Sequence, residues 1–259
     1  IKSEGFLEKE AYFLFNLKEN GVPKLVTYGR SGKYNILIEK LLGKSLKELF
    51  KKSENKIKDL CMSAIQIMDL ICNIHSKYII HRDIKPDNFL VGNPDIEKIY
   101  IIDFGFSKKY RSSKTGKHIE YIINKDNPGT LEYLSLNVSK GIEPTRRDDL
   151  ESMAYMLICL AKGKLPWSNM KGKSLNDITL KTYELKSSIT IEKLCEGLPE
   201  EICLFTKKVK LLKFDETPDY YSLKKLFFVI LEKMNMTNDK IFSWMSLEEK
   251  KRVIINFQN

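Results

Sequence analysis

The segment Ile79–Ser107, IIHRDIKPDNFLVGNPDIEKIYIIDFGFS, decides how the rest of this chain is interpreted. It contains two short apolar runs, and each run ends at a group of polar residues. Asp83 follows the first run, with Lys85 and Asn88 close behind it, and Asp103 follows the second. Loops held by flanking strands are where catalytic side chains concentrate. These four residues are therefore candidates for one shared site.

The four residue types suit the transfer of a phosphoryl group. Pro86 disfavours helix at the residue before it, so the stretch RDIKPDN is predicted to be a loop. The oxygen atoms of Asn88 and Asp103 suit Mg²⁺, which prefers hard oxygen ligands, and the ammonium group of Lys85 suits a phosphate. The carboxylate of Asp83 can accept a hydroxyl proton or orient the hydroxyl. Such a set supplies the positioning and charge neutralisation on which phosphoryl transfer depends.

Each of these residues, taken alone, has an ordinary structural explanation. A loop aspartate usually forms a turn, a lone lysine is usually solvated, and the tripeptide Asp-Phe-Gly is a weak signal. The conjunction of HRDxKxxN with a later DFG is far more specific, and it is a signature of protein kinases. His81 and Arg82 belong to this signature but are expected to hold structure rather than to react.

The composition indicates a folded protein from a reducing compartment. A chain of 259 residues with 42% hydrophobic content can bury a large core, and it contains no apolar run long enough for a membrane-spanning helix. Five cysteines without a CxxC pair argue against disulfides or zinc. We expect a monomer in the cytoplasm or nucleus. No signal peptide is visible, and since the first residue is not Met, a preceding segment is expected.

The net charge of +10 invites a nucleic-acid interpretation, but only six of the 44 basic residues are arginine. Arginine forks are the usual readers of bases and phosphates. A solvated, lysine-rich surface is the simpler explanation, so no specific nucleic-acid partner is expected. A basic nucleic-acid-binding module stays open as a distant alternative, which a salt-dependent shift assay would test.

The hydrophobic pattern predicts an α+β fold with a small strand-containing part before a large helical part. In residues 1–42 the predicted elements are a helix and two strands, at Ser3–Lys18, Leu25–Tyr28 and Tyr34–Leu42. Residues 43–259 are predicted to be mostly helical. Their main predicted elements are a short helix capped by Ser45, a long helix at Ile57–Ser76, strands at Phe89–Val91 and Ile99–Ile102, and a buried helix that Gly163 ends.

From about residue 10 to the end, the chain resembles the casein kinase 1 family of eukaryotic protein kinases. The resemblance is carried by HSKYIIHRDIKPDNFLVG, IYIIDFGFSKKYR, YNILIEKLLGKSLKELF, GIEPTRRDDLES and KFDETPDYYSLKKLF. LSLN at Leu134–Asn137 stands where this family has a Ser-Ile-Asn type of motif. The resemblance implies a bilobal kinase fold with a partial N-lobe and a helical C-lobe, and a serine/threonine kinase that uses ATP and Mg²⁺ on protein substrates.

The resemblance also implies roles for the residues of the catalytic segment. Asp83 would be the catalytic base or hydroxyl orienter, and Lys85 would contact the transferred phosphate. Asn88 and Asp103 would hold Mg²⁺. Asp148 would brace the backbone of the catalytic loop from its helix.

A second set of implied roles concerns the nucleotide. Glu10 would pair with the lysine that anchors the phosphates. Backbone groups of Lys40 and Leu42, in a hinge that ends at Gly43, would read the adenine, and Leu90 would pack beneath its ring.

Three departures from the family pattern affect the nucleotide side. No glycine-rich phosphate loop occurs in the chain, and too few strands precede Glu10 for a complete N-lobe. Lys2 stands only eight residues before Glu10, so it is the anchor lysine only if residues are skipped after it. Glu39 falls at the gatekeeper position, where a carboxylate needs a partner or water to avoid a burial cost of about a few kcal/mol.

A fourth departure concerns the substrate. The family holds a phosphate or acidic group, which lies before the target hydroxyl, with an arginine after the Gly-Thr pair and a lysine after the Pro-Trp pair. Here the arginine position is Glu132, the lysine position is Ile178, and Asn169 replaces a glycine. Lys125 and Lys171 are close in sequence and could compensate in part. We therefore expect weak dependence on a priming phosphate.

Two function classes remain open from the sequence. An intact set of Asp83, Lys85, Asn88 and Asp103 favours an active kinase. Glu39 and the absent first strands favour a pseudokinase or scaffold that keeps the fold with weak nucleotide turnover. A glycine-rich loop followed by an Ala-x-Lys strand, upstream of Ile1, would decide for the enzyme.

Overall fold

The computed structural model describes residues 4–18, 21–123 and 128–258. The chain begins with helix α1 (Glu4–Leu17), which packs against an antiparallel hairpin of β1 (Leu25–Ser31) and β2 (Tyr34–Glu39). The predicted helix and strands are confirmed here. The second strand ends at Glu39 and not at Leu42, because the last hairpin bond runs from the N–H of Lys40 to the carbonyl of Lys24.

Beyond the hairpin the chain crosses into a second, mostly helical part. Ser45 caps α2 (Leu46–Leu49) in a capping box with Glu48, as the sequence predicted, and one 3₁₀ turn continues the helix. Helix α3 (Lys56–Ser76) follows, and its apolar stripe is buried as expected.

Short strand pairs flank the segment that carries the candidate residues. Strand β3 (Ile79–Ile80) pairs with β6 (Lys108–Lys109), and β4 (Phe89–Val91) pairs with β5 (Ile99–Ile101), both antiparallel. The two predicted strands are therefore confirmed as β4 and β5. The strands are only two or three residues long, and each pair is a separate two-stranded sheet that fixes the two ends of a loop.

The rest of the chain is helical apart from its connections. Its helices are α4 (Leu136–Ser139), α5 (Arg146–Lys162), α6 (Leu175–Ser188), α7 (Ile191–Leu194), α8 (Glu200–Leu211), α9 (Tyr220–Lys233) and α10 (Leu247–Gln258). The core of this part forms where α3 and α5 pack together, with α9 against α3 and α8 against α5.

Helix α5 lies at the centre of the core. Of its 17 residues, 13 are buried, which explains why its sequence shows no polar face. Gly163 ends it with a φ of +84°, a left-handed conformation that glycine adopts without strain. Within the described ranges, no helix has the combination of length and apolar character that a bilayer crossing needs.

Candidate active site

The carboxylate of Asp83 is the centre of the candidate site, and its side chain is buried. Oδ1 accepts hydrogen bonds from the backbone N–H of Thr130 at 3.0 Å and from its hydroxyl at 2.7 Å. Oδ2 accepts from Nζ of Lys85 at 2.6 Å and from Nδ2 of Asn88 at 3.1 Å. A carboxylate offers about four acceptor positions, so each of them is used here. The structure thus brings the predicted residues Lys85 and Asn88 together at the carboxylate of Asp83.

The loop that carries Asp83 is shaped by its own side chains. The predicted loop contains a 3₁₀ turn at Pro86–Asn88, which closes it. The amide of Asn88 also donates to the backbone carbonyl of Asp83 at 2.9 Å, and Nζ of Lys85 donates to the Thr130 hydroxyl at 3.2 Å. One lysine and one amide therefore tie the catalytic loop to itself and to the segment after Gly129.

The residue that braces this loop is Asp149, so the sequence-based assignment to Asp148 is wrong. Oδ2 of Asp149 accepts from the N–H of His81 at 2.7 Å, and Oδ1 accepts from the N–H of Arg82 at 2.8 Å. Arg82 has a φ of +70°, a conformation that costs energy for a side chain of this size. The two bonds to Asp149 hold it there.

Asp148 faces the other way from the first turn of α5. Its carboxylate accepts from the N–H of Thr145 at 2.8 Å and from the Ser135 hydroxyl at 2.6 Å. It therefore closes the helix N-terminus and fastens the start of α4. Neighbouring positions on a helix point about 100° apart, so adjacent aspartates serve different loops.

The two aspartates also differ in their ionisation. Burial raises the pKa of Asp148 to about 6, although Ser135 and Thr145 donate to it. Burial by itself would also raise the pKa of Asp149, but the bond from His75 and the nearby groups of His81 outweigh it and lower this pKa. Asp149 therefore stays ionised to a lower pH than Asp148 does.

His75 extends the brace into the helical scaffold. Burial lowers the pKa of His75 despite the neighbouring Asp149, so the neutral ring is favoured. Its Nε2 lies 2.9 Å from Asp149 and its Nδ1 lies 2.7 Å from the hydroxyl of Tyr220. A neutral ring that donates from Nε2 and accepts at Nδ1 satisfies both contacts. The catalytic loop is thus connected through α5 and α3 to α9.

His81 and Arg82 make structural contacts, as the sequence suggested. Nε2 of His81 lies 2.9 Å from the carbonyl of Ile102, just before Asp103. Nε of Arg82 donates to the carbonyl of Phe106 at 2.5 Å. Both side chains connect the loop of Asp83 to the Asp-Phe-Gly turn.

The paired strands β4 and β5 bring the backbones near Asn88 and Asp103 together. The N–H of Ile102 donates to the carbonyl of Asn88 at 3.0 Å, which puts Asp103 one residue beyond this pairing. Because Nδ2 of Asn88 bonds to Asp83, its Oδ1 is the atom left for a cation. An oxygen pair of this kind fits Mg²⁺, which takes few protein ligands and keeps several waters. In the described part of the chain, no group of three or more His, Cys, Asp or Glu forms a richer metal site.

The turn after Asp103 packs against α1. Asp103 has a φ of +66°, and the rings of Phe6 and Phe106 meet edge to face with centroids 4.8 Å apart. A Cβ on Gly105 would lie 2.8 Å from the Phe6 ring, so glycine is required for this contact. Glu10 is buried on the same helix, whereas Lys2 lies outside the described residues.

The residues that the sequence predicted to contact adenine lie in the connection between the two parts. The N–H of Gly43 donates to the carbonyl of Val91 at 2.8 Å, which places the segment 40–43 beside Leu90 on β4. Among the described residues, no backbone hydrogen bond uses the carbonyl of Lys40 or the N–H of Leu42. Both groups are suitable for a purine. Glu39 is half-buried at the end of β2, directly before this segment.

The site is defined by these contacts and not by cavity size. A cavity of about 980 Å³ is lined by residues of α1 and β1, and none of the residues of the loop that carries Asp83 line it. A smaller cleft of about 350 Å³ opens beside Thr130. Its lining includes Lys47, Lys51, Lys56, Pro86, Asp87, Thr130, Glu132, Tyr133, Lys164, Ser168 and Asn169. Thr130, which donates to the carboxylate of Asp83, is one of these lining residues, so the cleft lies next to the candidate site.

Glu132 is held inside the cleft by the chain itself. The Ser168 hydroxyl donates to its carboxylate, and Nε1 of Trp167 donates to its backbone carbonyl at 2.8 Å. Asn169 has a φ of +60°, a left-handed conformation that glycine adopts readily and asparagine adopts more often than most other residues. Ile178 is half-buried and Lys171 is exposed; Lys125 lies outside the described residues.

Two site residues escaped the sequence reasoning for different reasons. Asp149 was available in the pair Asp148–Asp149, but spacing alone did not show which carboxylate faces the loop. Thr130 was treated only as a landmark after Gly129, and nothing in its local pattern indicates a contact with Asp83.

Comparison with known proteins agrees with this geometry. Residues 3–246 match the family model of the protein kinase domain. Over 257 residues the chain is 38% identical to casein kinase I homolog 2 of Schizosaccharomyces pombe (strain 972 / ATCC 24843). This match covers 96% of the present chain and 59% of the yeast protein. The chain therefore spans about three fifths of the length of that relative.

Proposed function

Because the chain belongs to the protein kinase family, and to its casein kinase 1 branch, we propose that it transfers the γ-phosphate of ATP to serine or threonine hydroxyls of proteins. One observation carries the proposal: the buried carboxylate of Asp83 lies within hydrogen-bond distance of both Lys85 and Asn88. A buried carboxylate beside an ammonium and an amide provides the acceptor site and the positive charge that phosphoryl transfer needs.

Asp83 would orient the attacking hydroxyl. Its Oδ1 accepts from the Thr130 hydroxyl in the resting protein, which is the kind of group that a substrate brings. An acceptor hydroxyl can take this position when the Thr130 side chain rotates. The hydroxyl proton then points at Asp83, and its oxygen lone pair is directed toward the phosphate.

The nucleotide would be held by the groups around this carboxylate. Lys85, already directed at Asp83, can contact the transferred phosphate as it moves to the acceptor. Oδ1 of Asn88 and the carboxylate of Asp103 would hold Mg²⁺, which neutralises phosphate charge when it is bound. Lys40 and Leu42 would contact the adenine with backbone groups, and Leu90 would pack under its ring.

The proposed substrate preference follows from Glu132. A phosphate placed three residues before the target would meet a carboxylate where the family has an arginine. Charge-assisted bonds to a guanidinium are among the strongest in proteins, and their replacement by like charge removes the basis for priming. We therefore propose weak selection for a phosphorylated residue, with neutral or basic residues tolerated upstream of the target.

The test is a phosphorylation assay on the full-length protein with labelled ATP, followed by identification of the modified residue. Asp83→Asn is the matched inactive control, because it removes the carboxylate and leaves the nucleotide contacts. We expect ATP affinity within about twofold of the parent and a loss of most turnover. If Asp83→Asn phosphorylates a generic acceptor at the parental rate, the assigned role is wrong. If the parent binds ATP without transferring phosphate, the protein is a pseudokinase.

A further inference from the structure

Lys186 on α6 is a lysine in the protein interior. Only 1% of the residue is exposed. Its Nζ donates to the backbone carbonyl of Leu131 at 2.8 Å and to that of Leu134 at 2.8 Å. Lysine is rarely buried to this degree, because an ammonium group in the interior must recover its lost hydration. Here two carbonyls of one short turn supply the replacement.

Two aromatic rings complete the surroundings of Lys186. The ring centroids of Tyr155 and Trp167 each lie 5.1 Å from Nζ, within the range of cation–π attraction. Burial lowers the pKa of Lys186 to about 7, with Glu151 and Glu132 acting against this shift and Lys210 acting with it.

The turn that Lys186 holds lines the cleft beside Asp83. At its start, Thr130 is bonded to the Asp83 carboxylate. In its middle, Trp167 donates to the carbonyl of Glu132. Lys186 is bonded on either side of that point and directs the carbonyls of Leu131 and Leu134 inward. The side chains of Thr130, Glu132 and Tyr133 are left to line the cleft.

We propose that Lys186 is a positioning residue for the acceptor peptide, because it fixes the turn Thr130–Leu134 from behind and so sets the shape of the peptide cleft. The inference rests on the proposed function, since it assumes that the cleft binds an acceptor. It assigns no contact between Lys186 and the substrate. A neutral side chain of similar length would leave two inward carbonyls without donors, and the turn would rearrange toward water.

The experiment compares Lys186→Met, which keeps the length and loses the charge, with Lys186→Arg, which keeps the charge. Lys181→Met, on the exposed side of the same helix, is the matched control. The measured quantities are KM for a peptide with one target serine, KM for ATP, and kcat. We expect Lys186→Met to raise the peptide KM about tenfold or more while the ATP KM stays within about twofold. Lys186→Arg should recover most of the peptide affinity.

Several outcomes would overturn the assignment. One is an unchanged peptide KM in Lys186→Met. Another is an equal rise in the KM values for peptide and ATP, which would indicate a general loss of structure. If Lys186→Met does not fold, Lys186→Gln, which can still donate to one carbonyl, is measured with the same expectation for peptide KM.

A binding measurement separates this inference from the proposed function. Peptide affinity is determined by fluorescence anisotropy in the Asp83→Asn background, with and without Lys186→Met, so that no turnover is needed. Weaker peptide binding in the double variant supports the role of Lys186 even if the parent proves inactive. Equal binding in both overturns it even if the parent is an active kinase.

Discussion

Glu132 makes contacts within the protein that an incoming phosphate would have to break. Its carboxylate accepts from Ser168 and its carbonyl accepts from Trp167, so the side chain is not free to swing away from an anion. A phosphoserine at the third position before the target would meet like charge in a half-buried setting. This repulsion would come from Glu132 alone, so a substitution of Glu132 tests it.

The first prediction compares matched peptides that carry phosphoserine, Asp, Ala or Lys three residues before the target serine. We expect the parent protein to prefer phosphoserine over Ala by less than about tenfold in kcat/KM, a difference of about 1.4 kcal/mol. Glu132→Arg should create a preference for phosphoserine, because it adds a guanidinium at that point. Glu232→Arg, an equal charge change on α9, should not. A larger preference in the parent would exclude the idea.

At the scale of elements, the first turn of α5 serves two loops with two adjacent carboxylates. Asp149 accepts from the backbone of the catalytic loop, and Asp148 accepts from Ser135 and from the cap of its own helix. One element thus sets both the catalytic loop and the start of α4. Single substitutions of the two aspartates should therefore separate the two functions.

The second prediction follows from this division. Asp149→Asn replaces an acceptor by a donor in front of the N–H groups of His81 and Arg82, which should destabilise the fold by about 1–3 kcal/mol and lower kcat. Asp148→Asn should lower the free energy of unfolding by a similar amount and leave kcat largely intact. Thermal unfolding and steady-state kinetics measure both. A greater loss of kcat in Asp148→Asn would show that the brace is assigned to the wrong carboxylate.

The third prediction concerns the pH dependence of the peptide KM, which we attribute to Lys186 on α6. Because burial lowers the pKa of Lys186 to about 7, its charge is present below that pH and is lost above it. The neutral amine can still donate two hydrogen bonds, but it loses the charge that strengthens them and the cation–π attraction to Tyr155 and Trp167. The peptide KM should therefore rise between about pH 6 and 8.5, while Lys186→Arg stays flat over this range because arginine remains charged. The peptide must contain no histidine and no phosphate.

Unfolding does not explain such a rise. The unfolded chain keeps the Lys186 proton up to its ordinary pKa of 10.5, whereas the folded chain releases it near 7. Between these values the unfolded state binds more protons, so the contribution of this lysine to stability increases with pH. A peptide KM that rises equally in the parent and in Lys186→Arg would contradict the prediction.

Sequence reasoning succeeded for contacts that are local and failed for contacts that are distant. Asp83, Lys85 and Asn88 lie within six positions of one loop, so their spacing already limits how far apart they can be. The bond from His81 to Asp149 spans 68 positions, and the bonds of Lys186 span 55 and 52. Their partners are set by helix packing, which periodicity describes only as a buried face.

The strand pairs show the same division between local and distant information. Strands β4 and β5 were predicted from the apolar character of their own residues, which is local information. The pairing of β3 with β6 joins Ile79 to Lys109. Lysine repeats give no strand signal, so this pair was found only in the structure. It nevertheless fixes the chain just after Phe106 against the strand that precedes Asp83.

At the scale of the whole molecule, the chain carries an excess of positive charge, but beside the loop of Asp83 two of its cations face a buried carboxylate. Nζ of Lys108 lies 2.8 Å from Oε1 of Glu143, which is 1% exposed, and Glu143 also attracts the guanidinium of Arg82. Kinases that are switched by phosphorylation need an added anion to meet such cations. Here a carboxylate of the chain already supplies negative charge.

The fourth prediction is that catalytic competence does not require phosphorylation of the segment 106–137. Phosphatase-treated protein, checked by mass spectrometry, should keep kcat/KM within about twofold of untreated protein. Glu143→Gln should lower it in both preparations, because the internal negative charge is lost. If phosphatase treatment of the parent protein abolishes its activity, the prediction is wrong.

The four hydrogen bonds to Asp83 have a consequence for the proposed activity when no acceptor is bound. Since every acceptor position is taken, an incoming hydroxyl must exchange with Thr130 rather than add to a vacant place. A peptide can offset the exchange with contacts along the cleft, whereas a lone water has none to offer. If the protein is the kinase proposed above, this arrangement would discriminate against water as a nucleophile and would protect ATP from hydrolysis when no acceptor is bound. Thr130→Val should open this leak, seen as a higher ratio of ATP hydrolysed to peptide phosphorylated.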